Sequence, residues 1–354
     1  MNKKALIAMS GGVDSSVAAY LMKRQGFDCT GATMKLFESS EAVYNEKSCC
    51  SLDDAEDARS VAYKLDMPFY VFNFTADFKE QVIARFIRAY QDGATPNPCI
   101  DCNRYLKFDK LFTRANQLDI AYIATGHYAR IEHDGTRYLL KKAADNLKDQ
   151  SYVLYALTQE QLSRIKLPLG ALSKPEVREI AAEQGFLNAN KRDSQDICFV
   201  PDNNYADFIE QYTGQVYPEG DFIDTQGGII GRHKGLIRYT VGQRRGLGIA
   251  WSEPLYVRSK NIADNSITLC ENSGLFSRVL QAADFNWTSG IIPVAPIRVK
   301  AKIRYAQPEQ WTTAEALSDN KVRVEFDEAQ RAVSAGQAVV LYDGDYIIGG
   351  GTII

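Results

Sequence analysis

With 354 residues the chain has room, at roughly 150 residues per domain, for two or three domains with cores of their own. Lys and Arg total 41 against 44 Asp and Glu, a net charge of -3, which excludes a polycation that holds nucleic acid by bulk charge and leaves only local basic faces for that purpose. Hydrophobic residues at 45% and charged residues at 24% exclude wholesale disorder, and no apolar run approaches the roughly 18 residues of a membrane span.

Lys3 and Lys4 precede an apolar stretch, Ala5 to Met9, that is too short for a signal-peptide core. A cytoplasmic protein with reduced thiols and no membrane partner is therefore expected. Seven cysteines are an odd number and no disulfide framework, so any clustered subset points to chemistry or metal.

Along the first two hundred residues short apolar runs alternate with helical stripes, the pattern of a doubly wound α/β fold with a parallel sheet. Leu6 to Met9 reads as a buried strand, and Val17, Ala18, Leu21 and Met22 mark a helical face closed by Gly26. Strands are expected at Thr30 to Leu36, Phe69 to Phe74 and Ala121 to Ala124. Between them run helical stripes: Ala55, Ala58, Val61, Ala62 and Leu65; then Phe78, Val82, Phe86 and Tyr90; then Phe108, Leu111, Phe112, Ala115 and Leu118. Thr158 with Gln161 and Ser173 with Glu176 are capping boxes, each opening a helix. After about residue 205 glycines cluster between Gly227 and Gly248, and from about residue 280 short alternating runs dominate, with Asp343-Gly344 as a hairpin signal. The expected division is a catalytic domain over residues 1–205, a small central domain over 206–280 and an all-β domain over 281–354.

Ser10-Gly11-Gly12-Val13-Asp14-Ser15-Ser16 joins the first strand to the first helix. Glycines there let the backbone turn and present N–H groups to an anion, although a tight turn capped by Ser10 or Asp14 needs the same residues. A Walker loop is excluded, because the Gly-Lys-Ser/Thr ending is missing. Met34 ends the second strand, and Thr125-Gly126-His127-Tyr128 follows another; both fall at the crevice at the carboxyl ends of a doubly wound sheet, although a lone Met is more commonly core and Gly126 reads nearly as well as a plain loop glycine.

Cys99 and Cys102 lie in Thr95-Pro96-Asn97-Pro98-Cys99-Ile100-Asp101-Cys102-Asn103, a proline-bounded loop that opens a helix, and Cys198 lies in Asp193-Ser194-Gln195-Asp196-Ile197-Cys198-Phe199. A thiol near a helix amino terminus with Arg104 and Lys107 close in sequence is placed for a lowered pKa and raised nucleophilicity. A structural zinc wants four ligands, and the sequence has no second C-x-x-C; Cys49-Cys50 is read as incidental. Cys29 and Cys270 read as buried small hydrophobes.

The loop resembles the SGGxDS signature of ATP pyrophosphatases. Together with N-P-C-x-x-C-N at 97–103, D-S-x-x-I-C-F at 193–199, Gly-His-Tyr at 126–128, Lys-Asp-Gln-Ser-Tyr at 148–152, Thr-Val-Gly-Gln-Arg-Arg-Gly-Leu-Gly at 240–248 and Gly-Gly-Gly at 349–351, it is similar to the bacterial tRNA-specific 2-thiouridylases along its whole length. The resemblance implies a Rossmann-like domain of the adenine nucleotide α hydrolase type and a C-terminal β-barrel. It also implies ATP-dependent replacement of O2 by sulfur on the wobble uridine of the tRNAs for Glu, Gln and Lys.

Carried over residue by residue, the resemblance assigns ATP to Ala8, Met9, Ser10, Gly11, Gly12, Val13, Asp14, Ser15, Met34 and Gly126, with Asp14 holding Mg²⁺ on the phosphates. Cys198 bears a persulfide delivered by a cysteine desulfurase or a sulfur-relay protein, and Cys102 attacks it, closing a transient disulfide. Asn97, Pro98, Cys99, His127, Asp149, Gln150, Ser151, Arg304, Tyr305 and Gln337 contact the RNA, the first three flanking a base flipped from its stack. Many members of the family carry Asp where this chain has Cys99. A second route therefore stays open, a 4Fe-4S cluster held by Cys99, Cys102 and Cys198. A nitrogen-transferring ligase of the same ATP pyrophosphatase class has no use for the paired thiols, and an RNA-binding protein without catalysis has no use for the loop.

For the RNA itself, residues 227–262 hold Arg232, Lys234, Arg238, Arg244, Arg245, Arg258 and Lys260 against Glu253 alone. Arg298, Lys300, Lys302 and Arg304 alternate through an expected strand, which would put four cations on one face, a pattern that a solvated strand face also gives, and Tyr305 ends that row with a base-stacking or ribose contact to offer.

Overall fold

The computed structural model describes residues 3–37, 52–191, 197–200 and 204–354. Cys49, Cys50 and Asp193 to Asp196 lie outside the described residues.

Ala5, Leu6 and Ile7 are fully buried, as a strand covered on both faces requires, and they form the centre of β1 (Lys4–Ala8). The chain continues through α1 (Val13–Arg24), β2 (Asp28–Lys35), α2 (Leu52–Lys64) and β3 (Phe69–Asn73). The next helical run is α3 (Thr75–Phe78), a π-helical segment Lys79–Ile83 and α4 (Ala84–Gln91). Its stripe of Phe78, Val82, Phe86 and Tyr90 repeats every fourth residue and is buried throughout. In a pure α-helix such a repeat drifts by about 40° per step; one wide turn brings all four back to the same face. The same device recurs in the helix after the Cys99 loop, where α5 (Pro98–Asp101) passes into a π-helical segment Cys102–Lys110 and then α6 (Leu111–Gln117).

β4 (Tyr122–Ala124) follows, then a hairpin of β5 (Ala129–His133) and β6 (Tyr138–Lys142), then α7 (Gln159–Arg164), β7 (Ile165–Lys166) and α8 (Lys174–Glu183). Both expected capping boxes are present, at Thr158 with Gln161 and at Ser173 with Glu176. The first sheet runs β3-β2-β1-β4-β7 and all its pairings are parallel. Strand order reverses at β1, so the crevice of this sheet opens where β1 and β4 end.

α9 (Tyr205–Thr213) leads to a four-stranded sheet of β8 (Gly220–Ile223), β9 (Ile229–His233), β10 (Tyr256–Asn261) and β11 (Ser266–Cys270). The terminal strands are β12 (Phe276–Trp287), β13 (Ile297–Lys302), β14 (Gln310–Ala316), β15 (Val322–Arg331), β16 (Ala338–Asp343) and β17 (Tyr346–Ile353). They pair in the order β12-β15-β14-β13-β16-β17 and β17 returns to β12, closing an antiparallel barrel that leaves no edge among these six strands. The hairpin expected at Asp343-Gly344 joins β16 to β17.

One element is added to the sequence reading here and one expectation changes. The β5–β6 hairpin, unread in the sequence, is attached to the barrel sheet through Tyr346 and Lys141 rather than to the parallel sheet. The row of four strand cations is a row of three, because β13 ends at Lys302 and Arg304 lies beyond it. Arg298 pairs with Asp327 and lies with Lys300 over Trp311, so this face is stitched to its own sheet.

Candidate active site

Residues 9–12 leave β1 at the crevice and enter α1 with Gly12 as its N-cap. The turn needs Gly11, whose φ is +73°, and a Cβ at that position would lie 2.7 Å from the Asp54 Cα. Ser15 Oγ accepts from Ser10 N at 3.2 Å and donates to Gly12 O at 3.0 Å, and Ser16 Oγ donates to the same carbonyl at 3.0 Å. The loop is thus folded around its own serines, with the first N–H groups of α1 at its mouth, the geometry that receives phosphate. Asn188 donates to Gly11 O and to Ser16 Oγ, each at 2.9 Å. Lys191 reaches Asp54 and Asp57, both at 2.6 Å, across the same turn.

Asp14, in the first turn of α1, accepts from Lys174 Nζ on both oxygens, at 2.7 and 2.8 Å, and from the Tyr128 hydroxyl at 2.7 Å. Lys174 is buried at the start of α8, so the loop's carboxylate is neutralised by a cation drawn from a helix 160 residues away. Magnesium commonly binds through one or two carboxylates together with substrate phosphates, and Asp14 is an acid of the right kind on the loop itself. Gly126, at the end of β4, packs so closely that an added Cβ would stand 2.8 Å from Asp14 C and Ser15 N. Met34 is buried at the end of β2, and the adjoining Thr33 donates to Met9 O, tying the second strand to the loop.

The thiols lie on two elements that share one apolar core. Asn97 caps α5 by accepting from Cys99 N at 3.2 Å, with Pro98 in the first turn. Cys99 is exposed and Cys102 half-buried. Cys198, also half-buried, is carried in a turn anchored by its neighbour Phe199, whose ring meets Phe78 at 5.7 Å, Phe86 at 5.1 Å and Phe208 at 5.3 Å. Cys102 and Cys198 pack against the same cluster as these rings. Between the two cysteines of C-x-x-C, Asp101 is pushed up to about 6 by burial, against the pull of Arg85 and Arg104 and with Asp284 adding to the rise. Among the described residues no three His, Cys, Asp or Glu side chains are grouped to hold a metal ion.

The remaining expected residues gather on the seam between the catalytic domain and the barrel. Tyr305 donates to Asp149 O at 2.9 Å, Gln337 to Thr95 O at 2.7 Å and Arg304 to Ala332 O at 2.8 Å. Asp149 in turn accepts from Ser151 Oγ at 2.8 Å and from Ala143 N at 2.9 Å, and Gln150 Oε1 accepts from Tyr128 N at 3.0 Å. His127 is buried against Thr125 Oγ1 at 2.8 Å, and desolvation, aided by Lys107, holds its pKa well below the usual histidine value. In the central domain the basic window is partly spent: Arg232 pairs with Glu219 and Asp221, and Arg238 with Asp207 and Glu210, acids that lie outside the window. Lys234, Arg244, Arg245 and Arg258 are exposed.

Lys174, Asn188 and Lys191 were not legible as site residues. Lys174 was visible only as the first residue of a capped helix, and no spacing signal links any of the three to residues 10–16.

The family described as tRNA methyl transferase HUP domain matches residues 3–202, the tRNA methyl transferase PRC-barrel domain 206–271 and the aminomethyltransferase beta-barrel domain 277–353. The tRNA-specific 2-thiouridylase MnmA of Clostridioides difficile is 51% identical over 100% of this chain and 98% of that protein. Its counterpart in Lachnoclostridium phytofermentans is 51% identical over 99% of both chains. Among solved structures, a 4-thiouridine synthetase–RNA complex with bound ATP is similar at 19% identity and a TM-score of 0.34, covering 59% of this chain and 50% of that one, a likeness too slight to bear on function. Near-complete coverage at half identity, on a chain carrying the phosphate loop and both cysteine motifs, leaves one assignment: the chain belongs to the family of tRNA-specific 2-thiouridylases.

Proposed function

We propose that this protein is a tRNA sulfurtransferase that places sulfur at C2 of the wobble uridine in the tRNAs for Glu, Gln and Lys, at the expense of ATP. The observation that carries the reading is the meeting, in one domain, of a phosphate-receiving loop and two half-buried thiols on one apolar core.

The uracil C2 carbonyl is amide-like and its oxygen leaves poorly. In the proposed first step O2 attacks the α-phosphorus of ATP and pyrophosphate departs, so that the oxygen becomes part of an AMP leaving group. Ala8 to Ser15, Met34 and Gly126 bind the nucleotide, the α1 amino terminus takes the phosphate charge, and Asp14 would hold magnesium, which would supply charge compensation for the pyrophosphate. In the second step the Cys102 thiolate attacks the inner sulfur of a persulfide on Cys198. A Cys102–Cys198 disulfide forms and hydrosulfide leaves; hydrosulfide adds to C2 and AMP is expelled with the original oxygen. An external thiol then reduces the disulfide, and a cysteine desulfurase or relay protein reloads Cys198. Asn97, Pro98, Cys99, His127, Asp149 to Ser151, Arg304 and Tyr305 are proposed to hold the anticodon region.

The test is an in-vitro reaction with tRNA, ATP, and a cysteine desulfurase with cysteine, read by mass spectrometry of the nucleosides. The parent enzyme should form 2-thiouridine; Cys102→Ser and Cys198→Ser should each release pyrophosphate yet form none. Normal thiolation by the double variant would overturn the scheme.

A further inference from the structure

Gln337 touches the chain at Thr95, seven residues before Cys102. Thr95 is gripped on both its backbone groups by one turn of the barrel domain: its N–H donates to Ala335 O at 2.8 Å and its carbonyl accepts from Gln337 Nε2 at 2.7 Å. That turn is itself fixed. Gly336 N donates to Ile353 O at 2.9 Å, Ile353 N to Gln337 O at 2.8 Å, and Arg304 Nη2 to Ala332 O at 2.8 Å and to Ser334 Oγ at 3.2 Å. Between them sits Gly336, with φ at +87°, where a Cβ would meet Ala94 Cβ and Thr95 N at 2.9 Å each.

From Thr95 the chain runs Pro96-Asn97-Pro98-Cys99. Each proline fixes its own φ near about −65° and restricts the residue before it, and Asn97 is locked as the N-cap of α5. A segment so stiff passes on a movement at Thr95 instead of absorbing it, and α5 continues without a break into the π-helical turn that begins at Cys102.

We infer that Gln337 is a positioning residue for the reacting thiol: by clamping Thr95, it lets the C-terminal barrel set where the Cys99–Cys102 turn lies. This rests on the reading of Cys102 as the thiol that attacks the persulfide. It differs from direct RNA contact by Gln337, which the resemblance implies.

The experiment is iodoacetamide alkylation of Cys102 in the free enzyme, followed by peptide mass spectrometry, alongside a tRNA binding titration and the thiolation rate. Gln337→Ala should raise the Cys102 alkylation rate at least threefold and lower thiolation kcat about tenfold, with tRNA Kd within twofold of the parent. Gln337→Glu removes the same donor at nearly the same size and should behave alike. Gly336→Ala has no side chain to take from the RNA, yet it pushes on Thr95 and should reproduce the pattern. Cys102 alkylation at the parent rate in these variants overturns the inference, as does a tenfold rise in tRNA Kd without any change in alkylation. Because alkylation needs neither ATP nor tRNA, a parent enzyme that failed to thiolate would defeat the functional proposal and leave this measurement standing.

Discussion

Asp14 and Lys174 show how the loop at the start of α1 is tied to α8 by an ion pair. A carboxylate one-third exposed and a lysine side chain only 9% exposed meet at 2.7 Å, and removal of either deprives the other of its opposite charge in this pair. Lys174→Met should therefore cost about 2 kcal/mol in urea unfolding, and Asp14→Asn/Lys174→Met should recover part of it; a double variant as unstable as the sum of the singles would refute the pairing. Asp101 gives a pH signature of the opposite kind. Its pKa lies at about 6 in the folded chain against an ordinary value of 3.8, so the native state holds the proton more tightly than the unfolded one. Its contribution is favourable below 3.8, is lost as pH rises toward 6, and stays lost above. Asp101→Asn should thus raise Tm more at pH 8 than at pH 5, by a few degrees; equal gains at both pH values would remove the assignment.

At the scale of elements, the site is assembled by two helical runs that each carry a π-helical segment. The 75–91 helical run turns four aromatic and aliphatic residues onto one face, and that face receives Phe199. The Cys198 turn is held by this neighbouring ring together with a short-range hydrogen bond, Val200 N to Ile197 O at 3.0 Å. Phe199→Ala should destabilise the fold by about 3 to 4 kcal/mol through the cavity it leaves. At a temperature where the variant is still folded, it should lose thiolation but keep ATP-dependent pyrophosphate release; thiolation at the parent rate would mean that Phe199 does not fix the cysteine. The phosphate loop and the C-x-x-C helix were readable because each is local: glycine and serine spacing makes one, an Asn cap with prolines makes the other. The hairpin Ala129–Lys142 was not, since its partner strand β17 lies some two hundred residues on and nothing in its own pattern names that partner.

For the whole molecule, charge decides where a polyanion can land. Net charge is -3, and folding consumes Arg232, Arg238 and the Arg298 end of the strand row in ion pairs, so a count of cations along the sequence overstates the surface available. Arg244 and Arg245, exposed on the central domain, are among the cations left to meet phosphates. Arg244→Glu/Arg245→Glu should weaken tRNA binding at least tenfold at 0.1 M salt while the KM for ATP stays unchanged; unaltered tRNA affinity would shift the contact surface elsewhere. The barrel joins the catalytic domain through contacts that include Arg104 with Asp284, Asn286 with the Tyr155 and Leu157 carbonyls, and Gln337 with Thr95, and Arg104 and Thr95 each lie two residues from a proposed thiol or RNA residue.

Local order in the chain was enough to determine the parallel sheet, the phosphate loop on its first turn, the cysteine motifs and the all-β end, because strand burial, turn chemistry and helix capping are written within a few residues of where they act. Tertiary structure alone decided that Lys174 neutralises Asp14, that Asn188 and Lys191 brace the loop, that Phe199 anchors the second thiol and that a barrel turn grips Thr95. Each of these joins residues more than a hundred positions apart, or sets a ring among partners from separate helices, and their pairing follows from how the layers close on one another, which no spacing along the chain records.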